Sequence, residues 1–156
     1  MSDAVVLAPV AGRVVPLSEV PDMVFASAMV GPGAAIDPDG DATFVEALSP
    51  VPGVVAALHP HAFVIAGPGG GNRGVLVHLG IDTVQLQGMG FELLAAQGDE
   101  VVAGQPLVRW SPAAIVAQGK SAIVAVIALA AAAEELEMVD VERVAAGDEL
   151  FTWRFA

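Results

Sequence analysis

Three histidines are the residues of this chain best suited to nucleophilic or metal chemistry. His59 and His61 flank a single proline, and His78 lies in a second apolar segment. A lone histidine in a strand is more often a hydrogen-bonded structural residue than a functional one. Here all three imidazoles fall in two segments that could form neighbouring strands, and the chain contains no cysteine or tyrosine. The pattern therefore indicates one site that depends on imidazole chemistry.

Zinc binding is one chemistry that these residues could support. His59-Pro60-His61 is a His-x-His pair, and His78 and Asp82 have His-x-x-x-Asp spacing. Together they offer enough ligands for a tetrahedral zinc ion with one open position. The set is similar to that of the lysostaphin-like metallopeptidases, although its order along the chain is reversed. A zinc-dependent hydrolase that uses the three histidines and Asp82 is therefore one functional hypothesis.

The composition describes an acidic and strongly apolar protein. Its length suits one domain, residues 1–156. The 18 Asp and Glu residues exceed the 6 Lys and Arg residues, and a net charge of -12 argues against a nucleic-acid partner. The longest apolar run, residues 122–133, is shorter than the roughly 20 residues that a membrane-spanning helix needs. The first residues lack a basic signal region, so we expect a cytoplasmic protein without direct membrane insertion.

Short runs of Val, Ile, Leu and Phe, separated by Gly, Pro and Asp, predict an all-β fold. Helical patterning at residues 112–119 and about 131–136 predicts one or two short helices. The glycine-rich segment 67–74 is predicted to be a hairpin loop. The expected fold is a single-domain antiparallel β-sandwich or distorted barrel. The predicted strands are residues 5–7, 13–16, 34–38, 43–48, 53–58, 62–66, 74–79, 91–94, 107–110, 123–129 and 149–154.

Two internal repeats predict a duplicated strand motif. Residues 8–17 and 49–58 share the pattern Pro-Val-x-Gly-x-Val-x-x-Leu. Residues 98–101 and 147–150 share Gly-Asp-Glu before an aliphatic residue, and each copy is predicted to open a hairpin into a Trp-bearing strand. Two copies are too few for a solenoid, so we expect a duplicated sandwich whose halves interleave.

The longest motifs resemble one protein family. Residues 77–84 (VHLGIDTV), followed by residues 86–91 (LQGMGF), are similar to the active-site strand of the glucose-type EIIA proteins of the bacterial phosphoenolpyruvate-dependent sugar phosphotransferase system. The resemblance covers about residues 5–155 and implies a β-sandwich with a duplicated strand motif. Further similar motifs are residues 8–9, 20–26, 31–36 and 61–63.

The resemblance implies a phosphocarrier, a phosphotransferase component with a phosphohistidine intermediate. It would accept a phosphoryl group from phospho-HPr and donate it to the IIB domain of a glucose- or N-acetylglucosamine-type sugar permease. The accepting histidine corresponds to His78, and the second active-site histidine to His61. His59, Gly80 and Thr83 take supporting places, and the Gly80 carbonyl is expected to hold the Nδ1 proton of His78.

The resemblance also implies how partners dock. Two acids are expected to face partner arginines beside an apolar patch. These docking residues are Asp22 and Asp82 for the acids, and Phe25, Met29, Val30 and Leu76 for the patch. The expected partners are HPr and the IIB domain, and we expect a monomer.

The resemblance implies that no metal or other cofactor is required. Zinc could bind His61 and His78, either adventitiously or at a partner contact. The chain differs from better-known members where His59 replaces a hydroxyl residue and Met89 replaces an acid. Because four residues precede Val5, the resemblance favours a freely soluble protein or a unit cut from a longer permease.

Overall fold

The computed structural model describes residues 2–38, 43–67 and 73–155, and most of its regular structure is β-strand. The two described α-helices are α1 (Met23–Ala26) and α2 (Pro112–Ala117). Short 3-10 helices occupy Leu17–Glu19, Thr83–Leu86 and Ala133–Glu135. The described strands are β1 (Ser2–Leu7), β2 (Gly12–Pro16), β3 (Gly33–Asp37), β4 (Val45–Leu48), β5 (Gly53–His59), β6 (Ala62–Ala66), β7 (Gly74–Leu79), β8 (Phe91–Leu93), β9 (Glu100–Val101), β10 (Pro106–Trp110), β11 (Val124–Ala128), β12 (Leu136–Met138), β13 (Arg143–Val144) and β14 (Glu149–Phe155).

The strands form one large antiparallel sheet and two small ones. The eight-stranded sheet has the order β13-β2-β3-β11-β7-β6-β5-β9, and the three-stranded sheets are β1-β14-β12 and β4-β10-β8. Apolar side chains from all three sheets share the main core, which includes Phe63, Trp110, Phe151 and Trp153. Alternate residues along each strand supply this buried face, as expected for packed sheets. The predicted β-sandwich class is therefore confirmed.

The large sheet is symmetric about its central β7–β11 pair. On one side of this pair the Leu79 amide donates to the His61 carbonyl at 2.7 Å, and on the other side the Ala128 amide donates to the Pro32 carbonyl at 2.9 Å. These equivalent bonds relate β7 to β11 and β6 to β3. The sheet order then relates β5 to β2 and β9 to β13. The first sequence repeat falls on β2 and β5, so the duplicated motif is confirmed.

The second sequence repeat was assigned the wrong register. Gly147 corresponds to Gly104, and not to Gly98, because the Gly147 amide donates to the Ala8 carbonyl and the Gly104 amide donates to the Ser49 carbonyl, both at 2.8 Å. The acceptors Ala8 and Ser49 are themselves equivalent positions in the first repeat. The residues that follow Gly98 form the separate short strand β9 before the Trp-bearing β10 begins.

The two halves differ in how their hairpins are connected. Pro60 and His61 alone join β5 to β6, whereas residues 17–32 join β2 to β3 and carry α1. The longer connection packs over its half of the sheet in a second core cluster that includes Phe25 and Ile127. In the other half, the same sheet face around Val64 stays partly exposed. This asymmetry leaves one end of the sheet accessible beside the histidines.

Most predicted elements have counterparts in the structure. All eleven predicted strands are present with small changes at their ends, and α2 lies inside the predicted helix. The expected helix near residues 131–136 is only the 3-10 turn before β12. The prediction missed α1, β9, β12 and β13, because elements of two to four residues carry too little periodicity.

Two sequence predictions can be compared with the structure only within the described ranges. Within the glycine-rich segment 67–74, residues 68–72 lie outside the described residues. Its flanking strands β6 and β7 do pair antiparallel, with Ala66 opposite Gly74. Within the described ranges, no helix is both long and apolar enough to cross a lipid bilayer.

Candidate active site

Two histidine side chains meet at the end of β7. His78 lies opposite Ala62 on β6 and opposite Ala125 on β11, so its imidazole has a small residue on each side. His61 precedes β6, and its carbonyl accepts the Leu79 amide at 2.7 Å. The two imidazole centroids lie 5.3 Å apart, with the rings at 71° to each other. Backbone pairing thus brings together two histidines that are distant in sequence.

A backbone carbonyl fixes the orientation of the His78 ring. The Nδ1 atom lies 2.6 Å from the Gly80 carbonyl oxygen. Because a carbonyl oxygen only accepts, Nδ1–H must be the donor, and Nε2 keeps its lone pair in the neutral ring. This is the acceptor that the sequence analysis expected. The arrangement presents Nε2 as the free nitrogen of His78.

The turn after β7 is built to place that carbonyl. Gly80 has φ +79°, and a Cβ there would lie 2.6 Å from the Thr83 methyl and 2.9 Å from the Ser121 carbonyl oxygen. The Thr83 hydroxyl donates to the Leu79 carbonyl at 2.7 Å and is buried. Only glycine fits this position. Gly80 and Thr83 therefore support the His78 ring, in agreement with their predicted places.

Burial lowers the pKa of both inner histidines. The pKa of His78 falls below its usual value mainly because the ring is desolvated, while the Gly80 hydrogen bond and the charges of Asp22 and Asp82 act in the opposite direction. The pKa of His61 is lowered by burial and then by its proximity to His78 and His59. Both rings are therefore mainly neutral at pH 7, and each keeps a lone pair.

We expect acid to disfavour both the neutral site and the fold. Because the pKa values of His61 and His78 are lower in the folded chain, the unfolded chain binds more protons between those values and roughly pH 6.5. The free energy of unfolding should therefore fall as the pH is lowered through this range. Urea denaturation at several pH values measures this effect, and nuclear magnetic resonance titration of the folded and urea-unfolded chains checks its cause. Equal imidazole midpoints in the two states would contradict the prediction.

His59 extends the histidine pair outward. Its exposed ring stacks on His61, with centroids 5.9 Å apart and planes at 26°. β5 ends at His59, and the tight turn at Pro60 returns the chain to His61. The three rings therefore form a row that runs from solvent to the half-buried His78.

The two acids predicted for docking lie near His78 in different roles. Asp22 caps α1, where its carboxylate accepts the Val24 amide at 2.9 Å. Asp82 is exposed and has a left-handed backbone, with φ 59°. Both charges act on His78. The Asp22 carboxylate is therefore partly used to cap α1, whereas the Asp82 carboxylate makes no capping hydrogen bond.

The predicted apolar patch divides into a buried part and an exposed part. Phe25 is 8% exposed and packs against the His78 ring at 5.0 Å, so it is a buried neighbour of the histidine and not an open rim residue. Its burial follows from the amphipathic position of α1 over the sheet. Val30 and Leu76 are partly buried against the same cluster, and Met29 is 73% exposed.

Sequence reasoning missed four exposed apolar residues near the site. Large apolar side chains in water mark interaction surfaces when they cluster. The four residues belong to α1 and to the turns that follow β7. The sequence signal that could have identified them is the presence of apolar residues inside turn segments. They are Met23, Val24, Val84 and Met89.

The predicted zinc ligands do not assemble into a metal centre. Within residues 2–38, 43–67 and 73–155, no group of three or more His, Cys, Asp or Glu side chains is arranged to hold a metal ion. The Nδ1 atom of His78 is held by Gly80, and the ring of His59 stacks on that of His61. The ligand set of the hydrolase hypothesis is therefore not formed.

A solved structure identifies the class of protein to which this fold belongs. The glucose permease IIA from Mycoplasma capricolum superimposes with a TM-score of 0.85 at 33% sequence identity. The match covers 97% of this chain and 96% of that chain. At this identity and coverage, the two chains share the IIA fold.

Sequence comparisons identify the family. Residues 4–133 match the model of the phosphoenolpyruvate-dependent sugar phosphotransferase system, EIIA 1. The glucose-specific EIIA component of Staphylococcus aureus is 41% identical over 125 residues, which cover 80% of this chain and 73% of that protein. The glucoside-specific EIICBA component of Staphylococcus carnosus is 35% identical over 94% of this chain, which spans 21% of that protein. The chain belongs to the EIIA 1 family and is a phosphotransfer component of that system.

Proposed function

We propose that the chain accepts a phosphoryl group from phospho-HPr on Nε2 of His78 and donates it to a IIB domain. The observation that carries this proposal is the 2.6 Å contact between His78 Nδ1 and the Gly80 carbonyl oxygen, which leaves Nε2 as the nucleophile. The sugar permease is of the glucose or N-acetylglucosamine type, which rests on family resemblance and on the glucose-specific name of the Staphylococcus aureus relative.

The transfer replaces one phosphorus–nitrogen bond with another. Nε2 attacks the phosphorus in line, the bond to the donor histidine breaks, and its electron pair returns to the donor imidazole. The proton stays on Nδ1 of His78 and is donated to the Gly80 carbonyl, so the charge formed on the ring is partly compensated. His61 donates a hydrogen bond to the phosphoryl oxygens and stabilises their charge. No metal is required for these steps.

Partners dock on the accessible half of the sheet. A basic surface on HPr or IIB would meet Asp22 and Asp82, while exposed apolar side chains such as Met29 contact its apolar centre. The EIICBA name of the Staphylococcus carnosus relative indicates a chain in which EIIA is joined to permease components. The working state of this chain is a monomer in the cytoplasm that exchanges between such partners.

The direct test is incubation with phosphoenolpyruvate, Enzyme I and HPr, followed by mass spectrometry of the intact chain. We expect the mass of one added phosphoryl group, dependent on both upstream proteins. Peptide mapping under alkaline conditions should place it on the peptide that contains His78. A chain that gains no phosphoryl group in the complete mixture would overturn the proposal.

Salt is expected to slow the encounter with phospho-HPr. The net charge of -12 attracts a basic partner at long range, and the Debye length shrinks to about 8 Å at physiological ionic strength. Asp82→Asn should therefore reduce the association rate about twofold to fivefold at low salt and less at high salt. Stopped-flow or surface binding measures this rate. Asp140→Asn, the same charge change at an exposed residue before β13, is the matched control and should have a smaller effect.

Metal removal is expected to leave phosphoryl transfer unchanged. Chelator-treated protein should accept phosphoryl groups from isolated phospho-HPr at the untreated rate, since the mechanism uses imidazoles alone. Added zinc should inhibit, because zinc would take the Nε2 lone pair of His78 that attacks the phosphorus and would occupy the place of the phosphoryl group beside His61. Loss of transfer on chelation, restored by one equivalent of zinc, would favour the metal enzyme.

A further inference from the structure

Three methionines on segments next to the histidines lie largely in solvent. The exposed fractions of Met23, Met29 and Met89 are 81%, 73% and 63%. Met23 begins α1, whose Phe25 packs on the His78 ring. Met29 follows the same helix. Met23 and Met29 are therefore exposed thioethers on the segment that packs on the His78 ring.

Met89 is a third exposed thioether, in a turn near Pro60. It lies between Gly88 and Gly90 in the turn after the 3-10 helix Thr83–Leu86. A Cβ at Gly88 would contact the Pro60 ring at 3.6 Å, and Pro60 connects the two outer histidines. The turn with Met89 is therefore packed beside the His59–His61 turn. The three methionines thus belong to two segments that adjoin the histidines.

Exposed thioethers react with hydroperoxides. Sulfur attacks the terminal oxygen of the peroxide, a sulfur–oxygen bond forms, and the oxygen–oxygen bond breaks to release water from hydrogen peroxide or an alcohol from an organic hydroperoxide. Methionine sulfur is oxidised by two electrons, and the peroxide is reduced. The chain contains no cysteine that could react first. Met138, on β12 of a small sheet, is less exposed at 45% and provides an internal comparison.

We propose that Met23, Met29 and Met89 form a modification site at which hydroperoxides produce reversible sulfoxides that weaken partner docking. The inference rests on the proposed function, because it assumes that partners cover this apolar rim. A sulfoxide oxygen is a strong acceptor that must lose water when an apolar partner surface covers it. The Nε2 chemistry of His78 is unaffected, so the change falls on partner affinity and not on the transfer step.

The test uses mild hydrogen peroxide on the whole chain. Peptide mass spectrometry maps the sulfoxides, and transfer from phospho-HPr is measured before and after oxidation. We expect the KM for phospho-HPr to rise about threefold to tenfold with little change in kcat. Methionine sulfoxide reductases A and B together should restore the original KM. A Met23→Leu/Met29→Leu/Met89→Leu variant should resist peroxide, whereas Met138→Leu should remain as sensitive as the unsubstituted chain.

Several results would overturn the inference. The loss of affinity could be equal in the triple leucine variant, or full sulfoxidation of the three residues could leave the KM unchanged. Failure of the unoxidised chain to accept any phosphoryl group would instead reject the proposed function. In that case the peptide map of the sulfoxides alone tests whether the three methionines form a modification site. Faster sulfoxidation of the three residues than of Met138 retains the site, and equal rates reject it.

Discussion

Replacement of His78 by alanine is expected to abolish phosphorylation of the chain by phospho-HPr. The substitution removes the nitrogen that forms the new bond, and among the described residues only His78 has a ring nitrogen hydrogen-bonded to the Gly80 carbonyl. The loss should be complete, and not merely a reduced rate. In the unsubstituted chain, the phosphoryl group should be released in acid and retained in alkali, as expected for a phosphorus–nitrogen bond. Intact-mass measurement and pH stability of the label check both statements.

The fold should survive this substitution. His78 is only half-buried, and the lost hydrogen bond to Gly80 contributes about 1 kcal/mol. The circular dichroism spectrum should therefore match that of the unsubstituted chain, and the urea midpoint should shift only slightly. A folded His78→Ala variant that still gains a phosphoryl group would show that another residue is the acceptor.

Replacement of His61 by glutamine is expected to separate acceptance from onward transfer. The variant should still be phosphorylated on His78, because Nε2 and its Gly80 partner remain in place. Transfer to the IIB domain should slow by about 10²-fold to 10³-fold, since one donor to the developing phosphoryl charge is lost. Single-turnover measurements with the isolated phosphorylated variant give this rate directly, without the upstream steps.

His59→Gln is the matched control for His61→Gln. It makes the same change from imidazole to amide at the next ring in the row, which stacks on His61 but has no described contact with His78. Its transfer rate should fall much less than that of His61→Gln. Equal losses in the two variants would contradict the assignment of His61 as the donor to the phosphoryl oxygens.

The accessible site follows from unequal halves in a symmetric sheet. The position equivalent to His61 is Pro32, since their carbonyls accept equivalent amides from the two central strands. By the same symmetry, the counterpart of the His78 strand is β11, whose Ile127 is buried under the connection that carries α1. A two-residue connection on the other half leaves its face open. One copy of the motif is thus covered by core packing, while the other leaves its imidazoles partly accessible.

The strand pattern could be predicted from the sequence, and the candidate histidines could be identified there, because both depend on local information. Turn residues separate β-branched runs at short intervals, and these runs became strands with small changes at their ends. The motif around His78 contains the glycine that places the Nδ1 acceptor two residues later. Scarcity of other nucleophiles drew attention to the same residues. The family resemblance added the expected pairing of His61 with His78.

Only the tertiary structure decided which side chains surround that pair. Phe25 changed from an expected rim residue to a buried neighbour of His78, because α1 packs over the sheet through contacts between distant segments. The predicted correspondence in the second repeat was wrong for a related reason. The Gly98 and Gly147 turns are alike in local sequence, but the hydrogen bonds to Ser49 and Ala8 show that Gly147 corresponds to Gly104. Burial also set the lowered pKa values of both inner histidines. Local pattern specifies strands and turns, whereas pairing, burial and charge proximity depend on residues far apart in the chain.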